Sequence, residues 1–132
     1  MSALTADRNT PSRAGTMVVH PVAAATRIHA GAMVMLDAAG NAVPASTATT
    51  LKPAGRAEAV ADNTAGAAGA ESVQTTRGTF RWANDGSVTR AHIGGSAYAV
   101  DDQTVAATDG AGTRSACGII RDIDALGVWV EV

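Results

Sequence analysis

Three histidines, one cysteine and two pairs of aspartates are the side chains through which this chain could do chemistry. His20, His29 and His92 are the only histidines. None stands four residues from another, the spacing that sets two imidazoles on one helical face for zinc. A zinc site would need the fold to bring them to Cys117 or to a carboxylate. Asp101-Asp102 with Asp122 and Asp124 is the more tempting set. If the strands that carry them are neighbours, four carboxylates offer the oxygen ligands that calcium or magnesium takes. They could equally act as an acid–base pair. Against this, aspartates at strand ends commonly accept hydrogen bonds from the following backbone and cap turns. Asp122 and Asp124 also share one face of an extended segment, and an exposed face accounts for them. No serine sits in a Gly-x-Ser-x-Gly turn, and the glycine-bearing residues 62–70 lack the lysine of a phosphate loop. The reading is a protein that is not an enzyme, with no metal and no cofactor. Trp82 and Trp129 could stack on a sugar or a peptide. With only two Trp, one Tyr and one Phe in the chain, the core or a subunit interface is the expected place for both.

The elements that must position these residues are short and extended. Residues 96–132 alternate apolar runs with tight polar turns. Val128, Val130 and Val132 fall on one face and Trp129 and Glu131 on the other, the period of two that marks a strand. Residues 117–124 precede it across Ala125-Leu126-Gly127, so the two read as an antiparallel hairpin. Residues 96–100 and 103–106 make a second pair about Asp101-Asp102. Residues 17–22 read as a strand that lies at an edge or stops at Pro21, which cannot donate to a ladder. Residues 32–36 and 42–44 form a hairpin about a turn that begins at Asp37. Residues 46–53 read as a connection or edge. Residues 54–61 carry alanine and glutamate, which suit a helix, but the run is too short for an isolated one. A strand is preferred, with Ala57, Ala59 and Ala61 on one face. Residues 62–70 read as a loop. Residues 72–82 are β-rich by type, with a bulge at Gly78. Asn84-Asp85-Gly86 is a turn, and a short helical turn is expected around residues 88–92. The expectation is about eight strands in a mainly β chain: a small antiparallel β-barrel or sandwich with short hairpins and one or two long loops.

Residues 1–16 carry neither a helical nor a strand period. They read either as a disordered terminus or as an extended N-terminal arm that orders on a neighbour. Leu4, Arg8, Pro11 and Arg13 are the arm's contact candidates, followed by Met17, Trp82 and Trp129 on the body. The division is residues 1–16 as arm and 17–132 as a single β domain.

The chain has 132 residues and a net charge of −2. That length suits one domain. There is no basic stripe, so no nucleic-acid partner is expected. No run approaches a membrane span and the opening residues do not form a signal peptide, so the expectation is no membrane partner and synthesis in the cytoplasm. The single cysteine, Cys117, allows no intrachain disulfide and reads as a small buried hydrophobe. Hydrophobic residues are 46% but aromatics only 3%. A core of small side chains buries little area per residue, which suits a chain stabilised by association.

Several strings in this order resemble the small capsid decoration proteins of tailed bacteriophages, also called cement or head-stabilising proteins. They are Gly55-Arg56-Ala57-Glu58, Asp62-Asn63-Thr64-Ala65-Gly66, Gly69-Ala70-Glu71-Ser72-Val73 and Arg77-Gly78-Thr79-Phe80. Near the end stand Tyr98-Ala99-Val100-Asp101-Asp102, Thr104-Val105, Gly118-Ile119-Ile120, Asp124 and Gly127-Val128-Trp129-Val130. The similarity spans roughly residues 17–132 and rests on structural residues. It implies a β-rich, often trimeric virion protein on the capsid exterior. Such a protein clamps neighbouring major capsid subunits, with the major capsid protein and itself as partners. It implies an arm at residues 2–16, by position alone. Two other readings stay open: a phage tail or baseplate β-module, and a carbohydrate- or peptide-binding module that uses Trp82 or Trp129.

Overall fold

The computed structural model describes residues 2–13 and 15–132. Met1 and Ala14, both in the segment expected to be an arm, lie outside the described residues. The chain is mainly β. In order its strands are β1 (Met17–Pro21), β2 (Thr26–Ile28), β3 (Met33–Leu36), β4 (Ala42–Pro44), β5 (Lys52–Ala57), β6 (Ala61–Asn63), β7 (Ser72–Thr76) and β8 (Thr79–Asn84). A 3-10 turn, Arg90–His92, leads to β9 (Ser96–Ala99), β10 (Thr104–Ala106), β11 (Ala116–Asp124) and β12 (Gly127–Glu131).

The strands divide into a five-stranded sheet in the order β1-β7-β5-β3-β4, a closed barrel in the order β10-β8-β12-β11-β9, and a small β2-β6 ribbon. The terminal hairpin forms as its alternation requires, with Val128 and Val130 fully buried. β9 and β10 pair beside it. One closing pair departs from the expected antiparallel barrel: β8 and β10 run parallel. A parallel neighbour needs a crossover connection, and the 3-10 turn with β9 supplies it.

β3 explains how the two halves are joined, because it is buried in a different core on each face. Met33 and Met35 join the barrel core with Val105, Cys117, Ile120, Val128 and Val130. Val34, from the opposite face, joins Val22, Ile28, Ala42, Ala57 and Val73. A strand buried on both faces reads as a continuous apolar run, as Met33-Val34-Met35-Leu36 does. The sheet also curls towards closure. Val22, just past β1, bridges Ala42 of β4 at the far edge. Polar ties fasten the halves: the Met33 N–H donates to the Asp102 carbonyl at 2.8 Å. The buried Ser115 hydroxyl donates to the Ala48 carbonyl at 2.8 Å and accepts from the Leu51 N–H at 3.1 Å.

Twelve strands among the described residues exceed the expected eight. β2 is too short to show a period of its own. Residues 54–61 are not one strand: β5 begins earlier, at Lys52, and ends at Ala57. The chain then bends, so Ala57 and Ala61 are buried and Ala59 is exposed. Residues 62–70 are not wholly loop, because β6 runs to Asn63. The Asn63 side-chain amide is buried and donates to the Ala23 and Ala67 carbonyls at 3.0 and 2.9 Å, pinning the segments around it.

Gly78 is not a bulge. It is the break at which the chain leaves the sheet as β7 and enters the barrel as β8. Two of the register shifts fall at other glycines, beside Gly55 in β5 and Gly118 in β11. Gly55 has φ 136° and Gly118 φ 151°. A Cβ at either would run into a backbone carbonyl across the ladder, that of Thr76 or of Glu131. Only glycine meets both demands.

Candidate docking surface

The residues first suspected of chemistry do not converge. No group of three or more potential metal ligands exists among the described residues. Three of the four aspartates serve their own local structure. Asp101 Oδ1 accepts the Gln103 N–H at 2.9 Å. Asp122 Oδ1 accepts the Ile123 N–H at 2.8 Å and faces Arg90 at 3.4 Å. Asp124 Oδ1 accepts the Leu126 and Gly127 N–H groups at 2.8 and 3.1 Å, closing the β11–β12 turn. His92 Nδ1 accepts the Thr89 N–H at 3.0 Å. Cys117 is fully buried, and desolvation pushes its thiol up to about 12, so it stays a neutral apolar filler.

What the fold does assemble is a surface of arginine and aromatic side chains where the sheet meets the barrel. β5 supplies Arg56, β8 supplies Phe80 and Arg81, and β12 supplies Trp129. They line a hollow of about 420 Å³. The Arg56 guanidinium sits over the Phe80 ring, 4.5 Å from its centroid, and Arg81 sits 5.6 Å from that of Trp129. Both cations are held in place from the side. Arg56 donates to Glu58 at 3.0 Å, and Arg81 approaches Asp124 at 3.9 Å. The Trp129 indole N–H donates to Asp124 Oδ2 at 2.9 Å. That hydrogen bond, then the turn amides and Arg81, hold the Asp124 carboxyl below the usual carboxylate range. Glu58 is lowered in the same sense by Thr76 and Arg56. Stacked cations fixed by carboxylates lose little freedom when a partner covers them.

A second feature runs into this hollow. β1 is an edge strand paired on one side only, with β7. Met17 is 54% exposed and Val19 62%. Met17 lies opposite Thr76, and Thr76 lies opposite Arg56, so one row crosses β1, β7 and β5 to the cation over Phe80. Arginine and aromatic side chains beside exposed apolar ones are the composition of a protein interface.

The sequence candidates distribute unevenly over this face. Met17 and Trp129 belong to it. Leu4, Arg8, Pro11 and Arg13 are exposed on the segment that leads into β1, with Leu4 72% exposed. Trp82 lines the hollow as well but is only 6% exposed, packed in the barrel core edge to face with Phe80 at 6.2 Å. Alternation places it there, because Arg81 and Ala83 on either side point outward. Arg56, Phe80 and Arg81 were not picked out by sequence as contact residues. Arg56 and Phe80 stand in the strings that carry the resemblance, but the stacking of one on the other joins a strand of the sheet, β5, to a strand of the barrel, β8. No protein-family model matches the chain, and no curated protein or solved structure matches it either.

Proposed function

We propose that this chain is a virion structural protein. It decorates and stabilises the outer surface of a tailed-phage capsid by clamping neighbouring major capsid subunits, and it acts as a homotrimer. The observation that carries the reading is one continuous face. The exposed edge strand β1, with Met17 and Val19, runs into the hollow of Arg56, Phe80, Arg81 and Trp129, and an exposed arm precedes it. An edge strand can pair with an extended segment of another chain, and anchored arginine–aromatic pairs supply the specific contacts. The resemblance of residues 17–132 to decoration proteins supplies the kind of partner. Many modest contacts repeated over a lattice add up to firm attachment. Trp129 is a poor platform for a sugar ring, because Arg81 already occupies one of its faces.

The test is sedimentation of the purified chain with expanded heads and with unexpanded precursor shells of the same phage. Binding to expanded heads alone, weakened at least tenfold by Arg56→Glu with Arg81→Glu, is the expected result. Equal binding to both shells, or co-purification with tails instead of heads, overturns the proposal.

A further inference from the structure

A second groove, with none of that hollow's lining residues, is chemically matched to the chain's own beginning. It has a volume of about 670 Å³ and lies between the edge strand β4 and the β9–β10 turn. Val43, Pro44, Ala45 and Leu51 give it an apolar floor, and Asp37, Asp101 and Asp102 stand on its rim. Its size falls within the range of about 300–1,000 Å³ in which folded proteins hold ligands.

The rim carboxylates have no cation of their own. Asp37 and Asp101 cap their turns through Oδ1, leaving Oδ2 without a hydrogen bond among the described residues. None of the three joins any of the five ion pairs found there. Arg27, the one basic lining residue, lies 4.0 Å from Asp62. Arg8 and Arg13 also lack a carboxylate partner among the described residues. Between and before them stand Pro11 and the exposed Leu4. The chain therefore carries a groove with an apolar floor and three aspartates against one arginine, Arg27, and an arm with an apolar side chain and two arginines against one aspartate, Asp7.

We infer that this groove receives the N-terminal arm of a second copy of the chain, with Leu4 on the floor and Arg8 and Arg13 on the rim. Residues 2–13 are exposed throughout in the single chain, so the groove is not filled by its own arm. An extended arm of about 12 residues reaches about 40 Å, enough to span to a neighbour. Because every copy carries both halves, the contact is head to tail, and a rotation that closes it makes a ring. The inference rests on the self-association within the proposed function and supplies its mechanism: the trimer is an arm-exchanged ring.

The experiment mixes two variants that each add one cysteine to Cys117, Leu4→Cys and Ser46→Cys, each with a distinct mass tag, and adds a short bismaleimide. Cys117 is buried and its thiol protonated, so it does not compete. The expected result is a covalent heterodimer between the two variants. Association should also weaken about fivefold with Asp102→Lys, as for exposed charge pairs, and recover when Arg8→Glu is added. In a chain that carries both Leu4→Cys and Ser46→Cys, a cross-link that forms only within one chain overturns the inference. So does no cross-link in a chain whose native mass is still a multiple: self-association then stands without the arm. A purely monomeric mass removes both.

Discussion

Asp124 is where several residue-scale forces meet. Its carboxylate accepts two turn amides and the Trp129 indole N–H, with Arg81 nearby. Each contact favours the ionised form, so the folded pKa lies below the unfolded one. The contribution is therefore complete above the ordinary aspartate range near 3.9 and is lost as pH falls through the lower folded value. We expect the Trp129 indole N–H resonance to hold its position from neutral pH to about 4 and to move below that. In Asp124→Asn it should lie at the shifted position at neutral pH. A resonance that is unchanged in the variant would remove Asp124 from its role in fixing Trp129. Gly118 makes a second residue-scale claim. Its φ of 151° and the Glu131 carbonyl behind it leave no room for a methyl group. Gly118→Ala should lower the unfolding free energy by about 2–3 kcal/mol in urea titrations. A change within about 0.5 kcal/mol would show that the bulge tolerates a side chain.

At the scale of elements, β1 and β3 have opposite characters. β3 is interior on both faces, Met35 facing the barrel and Val34 facing the sheet's own core. Met35→Ala should cost about 2–4 kcal/mol, as other buried truncations do. It should also shift the emission of Trp82, which shares that core. β1 is an edge, blunted at one end by Pro21 and open along its outer side. The segment before it adds nothing to either core. Deletion of residues 2–13 should leave the far-ultraviolet circular dichroism of the β core unchanged, while the native mass falls to that of one chain and head binding weakens. A loss of the β signal would make the segment part of the fold. The deletion must stop short of Thr16, whose carbonyl accepts the Arg77 N–H. Sequence periodicity found β1, β3 and the terminal hairpin because each alternates or runs apolar over at least four residues. It missed β2 and ran β5 and the start of β6 together as one strand because three-residue strands have no measurable period, and their pairing is decided by Asn63 and its bonds to distant carbonyls.

At the scale of the whole molecule, a barrel and a curled sheet share β3 and present two faces of different chemistry. One is cationic and aromatic, the other acidic with an apolar floor. Composition, alternation and turn residues were enough to establish a mainly β chain, an edge at β1, and a last hairpin with its valines inward. Those properties are local: a period of two, a proline or an aspartate acts through its nearest neighbours along the chain. Tertiary structure alone decided that β8 and β10 close the barrel in parallel, and that Trp82 lies inside while Trp129 lies under Arg81. It also decided that Arg56 reaches Phe80 and that Asp37 lines one groove with Asp101 and Asp102. Each of these joins residues many positions apart through strand register, and register is set by how two cores pack around one shared strand.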